Sequence, residues 1–505
     1  MNRRELLALL GSTAAMSPLA GSLVGKAAAS PRVADVAAGR SELHFESLTT
    51  VAKLIETREI SPVELAQLML DRIAAVDGRL HSYVTITPEL AIENARRAED
   101  EIMAGRYLGP MHGIPIGIKD LCYTRGIRTM AGTVVLSDFV PDFDASVVAK
   151  LEASGAISLG KLTLCEGAQA PYHPDLEVPV NPWDATRWSG VSSSGSGVAT
   201  AAGLCFGSIG TDTGGSIRYP SASNGCVGLK PTYGRVSRHG VFPLAESMDH
   251  VGPMTRTVED AAIMFETMAG FDENDPTSLA EPVEPVSQGL SQGIDGLRIG
   301  YDHRYATEGV EPEVAQAVAQ VLEELRSLGA EIVEVTMPDV GELAYNWYVL
   351  GTVEAAAAHA ATFPSRADEY GPGFREDLEF GLQVTGIEFA AATKGRLELA
   401  AGVHRMLAGV DCFVCPSMSN TASVKTADPT DMTGEEWNRL VEKDVFSKPF
   451  NFSGVPTLCV PSGFSSEGLP MSVQFIGRRL SEATICRVGH AYQQVTKWHT
   501  MHPPV

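Results

Sequence analysis

Two dense blocks of small residues lie between positions 190 and 220. The first reads Gly190-Val-Ser-Ser-Ser-Gly-Ser-Gly-Val-Ala-Thr-Ala-Ala-Gly203 and the second Gly210-Thr-Asp-Thr-Gly-Gly-Ser-Ile-Arg-Tyr-Pro220. Glycine beside serine lets backbone N–H groups approach a ligand closely. Successive N–H groups at Thr213, Gly214, Gly215 and Ser216 are placed to form a nest for a developing oxyanion. Ser216 then serves both as nucleophile and as part of the hole, which suits acyl transfer. A serine hydroxyl needs a base to act this way. The alternative is a tight glycine turn whose hydroxyls cap helices.

Other chemical motifs fail on context. Gly289-Leu-Ser-Gln-Gly293 matches the G-x-S-x-G pattern, but it follows Pro- and Glu-rich sequence where that motif requires a strand. Ser158-Leu-Gly-Lys161 has S-x-x-K spacing across a strand end, and no K-T-G accompanies it. Cys412-Phe-Val-Cys415 sits in an apolar run with no second pair at zinc spacing, so two buried strand cysteines are expected. There is no H-E-x-x-H and no G-x-x-x-x-G-K-[ST] loop. No metal or cofactor is expected.

The elements that must position Ser216 follow from periodicity. Ser61-Pro-Val-Glu64 has the form of a capping box with Pro in the first turn, and Leu65, Leu68, Met69 and Ile73 follow at helical spacing. Residues 91–104 and 314–328 also predict helices, and 481–495 a closing one. Gly113–Ile118, Ala156–Gly160, Leu297–Tyr301, Ala330–Val335, Val410–Val414, Pro456–Pro461 and Met471–Ile476 predict strands. Residues 272–296 read as a surface connector and 341–410 as mostly helical. Strands interleaved with helices along the whole length mean α/β.

At this point the sequence resembles the amidase signature family. The resemblance rests on the Gly/Ser block, on Gly210-Thr-Asp-Thr-Gly-Gly-Ser-Ile-Arg-Tyr-Pro220, and on Asn181-Pro-Trp-Asp184, 228–237, 450–456 and 468–477. It runs from about residue 45 to 500 and implies one domain, a central mixed sheet covered by helices on both faces, with a core at about 109–270 and a variable helical pocket region at about 341–410. It implies a Lys, cis-Ser, Ser triad with its serines 24 residues apart, which selects Ser192 beside Ser216. The family's lysine ends an apolar strand, which selects Lys119 in Gly113-Ile-Pro-Ile-Gly-Ile-Lys119-Asp120. Lys119 must be neutral to act as base, and burial lowers a lysine from its usual value of about 10.4. The cis bond would lie at Val191–Ser192, where the family's usual Gly-Gly is Gly190-Val191. By the same resemblance Asp212 and Arg218 support the loop. Gly132, Ala168, Gln169, Ala170 and Ser193 are pocket candidates. Tyr172, Trp347 and Tyr348 read equally as pocket aromatics or core. The implied reaction is amide hydrolysis through a Ser216 acyl-enzyme. Ester hydrolysis, a transamidase variant and a non-catalytic binding protein on the same fold are the alternatives.

Composition narrows the partners. The 505 residues carry 39 Lys and Arg against 62 Asp and Glu, a net charge of −23. That balance disfavours nucleic acid and anionic membranes, which need clustered cations. A hydrophobic fraction of 44% disfavours disorder. Arg3-Arg4 ahead of a mildly apolar stretch closed by Lys26-Ala27-Ala28-Ala29 resembles a twin-arginine export signal over 1–29, followed by a linker over 30–44. After it, no run reaches the roughly 18 apolar residues of a membrane span. A periplasmic, membrane-free mature protein acting on a small amide is expected, with a cytoplasmic location as the alternative. A homodimer is compatible with the sequence.

Overall fold

A computed structural model describes residues 43–169, 171–425, 430 and 445–505. The export-signal reading of 1–29, most of the linker and Ala170 lie outside the described residues. Described structure begins at Leu43, and both Leu43 and His44 are buried.

Among the described residues eleven strands form one sheet. In chain order they are β1 (Tyr83–Ile86), β2 (Pro115–Lys119), β3 (Ile157–Leu162), β4 (Gly207–Asp212), β5 (Val227–Lys230) and β6 (His250–Thr255). The rest are β7 (Arg298–Tyr301), β8 (Glu331–Glu334), β9 (Cys412–Pro416), β10 (Thr457–Phe464) and β11 (Pro470–Ile476). Their order across the sheet is β1-β3-β2-β4-β6-β5-β10-β11-β9-β7-β8. β2 runs parallel to β3 and β4, and β7 runs parallel to β8 and β9. The remaining pairs are antiparallel, so the sheet is mixed.

Both faces are covered. Along β9, Cys412 and Val414 belong to one apolar cluster and Phe413 and Cys415 to another. Successive side chains of a strand point to opposite faces, so the two clusters lie on opposite sides of the sheet. The first gathers the helices Leu48–Glu56, Pro62–Val76, Val258–Met268, Pro312–Ser327 and Glu482–Val495. The second gathers Leu343–Ala358, Pro372–Gln383 and Gly386–Leu407. The capping box at Ser61 forms in full, with Ser61 accepting from the Glu64 N–H and Glu64 accepting from the Ser61 N–H. All eight cysteines are free and buried. Among the described residues no helix is long and apolar enough to cross a membrane, and no group of three His, Cys, Asp or Glu is arranged to hold a metal.

Candidate active site

Parallel pairing of β2 with β4 brings Lys119 and Asp212, the last residues of the two strands, to the same end of the sheet. Ligands in α/β sheets gather beyond such strand ends. A helix at Ser194–Ala201 begins beside them and carries Ser192 and Ser193 on its approach. Gly190 makes that approach feasible. Its φ is +98°, and a Cβ there would lie 2.4 Å from the Pro220 Cα.

Lys119 is 0% exposed. Its Nζ donates to Ser192 Oγ at 2.8 Å, Ser193 Oγ at 2.9 Å and Thr211 Oγ1 at 2.7 Å. Burial pushes its pKa down from 10.5 to about 8, against the pull of Cys165, Cys122 and the Asp212 and Asp249 carboxylates. A neutral amine has two hydrogens and one lone pair, so one of the three hydroxyls must direct its proton at Nζ. Ser193 is occupied elsewhere, since its Oγ donates to Thr211 O at 3.1 Å and accepts from Thr211 N at 3.2 Å. Ser192 or Thr211 therefore supplies that proton.

The turn after β4 is held from outside. Asp212 and Arg218 form an ion pair at 3.0 Å with both side chains 0% exposed. The Asp212 carboxylate also accepts from the backbone N–H groups of Gly215 (2.8 Å) and Ile217 (3.1 Å) and from Asn451 Nδ2 (2.8 Å). Burial alone would raise its pKa. The Arg218 charge and hydrogen bonds outweigh burial and hold the carboxyl well below the usual range. Arg218 reaches on to Ser447 O, Gln474 Oε1 and Asn451 Oδ1.

Carbonyl contacts then orient the peptide planes. Asp212 O accepts from Asn451 Nδ2, Thr213 O accepts from Trp347 Nε1 at 3.0 Å, and Gly214 O accepts from Ser447 Oγ. In a trans peptide the N–H points opposite to the C=O. The N–H groups of Thr213 and Gly214 are thus turned away from those anchors. Among the described residues the N–H groups of Thr213, Gly214 and Ser216 donate to no protein acceptor. They are the donors left for an oxyanion. The Thr213 hydroxyl donates to Asp249, whose carboxyl burial raises to about 6. A cavity of about 230 Å³ lies beside Thr211, Thr213 and Asp249, with neither Ser192 nor Ser216 in its wall.

Known proteins resemble this chain over most of its length. The Amidase family matches residues 64–486. The chain belongs to the amidase signature family. AmiD of Mycobacterium tuberculosis, which carries an amidase name, is 45% identical over 463 residues, covering 91% of this chain and 96% of that one. A glutamyl-tRNA(Gln) amidotransferase subunit of Geobacter sp. strain M21 is 36% identical over 477 residues, covering 89% and 97%. The peptide amidase of Stenotrophomonas maltophilia superposes with a TM-score of 0.78 at 31% identity, covering 91% and 98%. The chain is an amidase with one α/β domain.

Within this amidase the structure departs from expectation at several residues. The Val191–Ser192 bond is trans, and the cis bond among the described residues is Phe363–Pro364. A cis bond before a residue other than proline costs about 3–4 kcal/mol, and the trans form already places Ser192 on Lys119. Gly215 is not an oxyanion donor here, because the Asp212 carboxylate takes its N–H. Ser193, a pocket candidate, has its hydroxyl taken up by Lys119 and the Thr211 backbone. It is fully buried and braces Lys119 against β4. Gly132 lies against the Leu164 and Cys165 carbonyls, packing its loop on the segment that carries Ala168 and Gln169. Both of those residues are buried. Ser216 is 7% exposed, and no hydrogen bond joins it to Ser192. Tyr172 is core, bonded to Ser194 Oγ at 2.6 Å, whereas Trp347 covers the turn that carries Ser216. Thr211, Ser447, Asn451 and Gln474 were not foreseen. Asn451 and Gln474 carried a signal: each is polar within an apolar run, and a buried polar side chain must have a partner.

Proposed function

We propose that Ser216 attacks the carbonyl carbon of a small-molecule amide with Lys119 as base and Ser192 as the carrier between them. The observation that carries this reading is the fully buried Lys119, drawn down to about 8 and 2.8 Å from Ser192. The Ser216 proton passes to Ser192 as the Ser192 proton passes to Lys119, and the new C–O bond leaves an oxyanion facing the N–H groups of Thr213, Gly214 and Ser216. The C–N bond then breaks, and the amine departs with the proton returned through Ser192. Water attacks the acyl-enzyme by the same relay and frees the acid. No cofactor enters these steps.

A fluorophosphonate probe is expected to label wild-type protein at Ser216 and to leave Ser216→Ala unlabelled. Ammonia or amine release from a panel of primary amides and anilides should disappear in the same variant. Labelling at another serine, or turnover surviving in Ser216→Ala, would overturn the assignment. Export belongs to the same proposal and rests on the Arg3-Arg4 stretch. Changing both arginines to lysine should keep the protein in the cytoplasmic fraction. Equal periplasmic recovery of the variant would refute it.

A further inference from the structure

Gln169 has one end of its amide committed and the other open. The side chain is 4% exposed, and its Nε2 donates to Asp377 Oδ2 at 2.8 Å. Asp377 is itself fully buried, and its other oxygen accepts from the Tyr348 hydroxyl at 2.7 Å. A carboxylate only accepts, so the Gln169 nitrogen must face it. That fixes the amide orientation and points Oε1 the other way. Oε1 is buried and has no donor among the described residues.

The open acceptor is close to the chemistry. A Cβ on Gly351 would lie 3.4 Å from Gln169 Oε1, so the side of the Leu343–Ala358 helix that meets Gln169 is the Gly351 side. Trp347 is four residues earlier, on the same face. Its indole lies 2.8 Å from where a Gly214 Cβ would be and donates to Thr213 O. Trp347 and Gly351 are about 6 Å apart along the axis. The same helix face therefore covers the nucleophile turn and, one turn on, meets the unpartnered acceptor. A buried acceptor without a donor is costly, and one whose orientation is already locked is ready for a donor supplied from outside.

We propose that Gln169 is a specificity-determining residue that accepts a hydrogen bond from an N–H or O–H group of the substrate, about one helical turn from the scissile carbonyl, and that short peptide-like amides are the substrate class. Asp377 and Tyr348 act as positioning residues that hold the Gln169 amide. This rests on the hydrolase reading above.

The test uses N-acetylated short peptides ending in a primary carboxamide, with each backbone N–H replaced in turn by an ester oxygen. Replacement removes the donor without adding bulk, and ammonia release reports only on the terminal amide. Wild type should lose about tenfold or more in kcat/KM when one particular N–H is replaced. Gln169→Met should flatten that dependence, by losing rate on the parent peptide. Asp377→Asn, which can turn the Gln169 amide round, should flatten it too while melting at a temperature near wild type. Turnover by wild type with no sensitive position would refute the proposal and leave the hydrolase intact, as would a dependence unchanged in both variants. Absence of ammonia from every peptide, together with no fluorophosphonate label on Ser216, would instead overturn the hydrolase reading.

Discussion

Lys119→Ala is expected to lower kcat/KM for amides by about 10²–10⁴ at pH 7, the range a positioned general base supplies. The alanine removes the acceptor of the Ser192 proton and leaves Ser192, Ser193 and Thr211 facing a void. In wild type kcat/KM should rise with pH through an apparent value near 8 and then level, because only the unprotonated amine accepts a proton. The variant should lack that limb. Stability carries the opposite mark of the same group. The folded pKa lies below the 10.5 of the unfolded lysine, so between about 8 and 10.5 the unfolded chain holds a proton that the folded chain has released. The penalty of burying Lys119 is therefore full below pH 8 and is relieved as pH rises through that window. Chemical denaturation of wild type against Lys119→Met, followed from pH 7 to 10, checks this. The methionine variant should gain relative stability at the lower end, and the difference should shrink toward pH 10. A pH–rate profile unchanged by the substitution would remove Lys119 from the mechanism.

The burial of Lys119 was visible in the sequence because an apolar strand ends on it. Ile114, Ile116 and Ile118 announce burial, and a lysine closing such a run is carried into the interior with it. β3, β7, β9, β10 and β11 were legible for the same reason. β4 was harder to read. Gly207-Ser-Ile-Gly-Thr-Asp212 looks like loop sequence, yet all six residues are buried. Its hydroxyls are satisfied locally, Ser208 with Thr200 and Ser196, and Gly207 leaves room for the Met264 sulfur. β6 contains Pro253 and Gly252 inside the sheet, which local propensity argues against. In the sequence the nest presents four equivalent N–H groups. Composition could not show that the Asp212 side chain, three residues upstream of Gly215, takes one of them. Trp347, Ser447 and Asn451 converge on the turn that carries Ser216 from sequence positions more than 100 residues away. Spacing along a chain carries no information about such contacts.

Arg218→Met should be the most destabilising single change near the site. Arg218 is fully buried, and its five contacts tie β4, the Ser447 segment, the Lys448–Phe452 helix and β11 together. Removing one partner of a buried ion pair costs about 3–5 kcal/mol, because the other charge is left uncompensated. Here the charge left behind is Asp212, which also accepts the N–H groups of Gly215 and Ile217. The loss should therefore appear twice, as a lower denaturation midpoint and as lost turnover in the protein that stays folded. Sign follows from Asp212: its folded pKa is depressed, so it stabilises above the ordinary carboxylate pKa and the contribution fades only as pH falls through the depressed value. In Arg218→Met the depression is lost, and acid unfolding should begin at higher pH. Asp212→Asn combined with Arg218→Met separates the two roles. It removes the stranded charge, so stability should partly return. The new side-chain amide offers a single acceptor oxygen where the carboxylate gave two, so turnover should not return with it. Recovery of both together would mean that the pair serves stability alone and that the turn carrying Ser216 holds its shape without it.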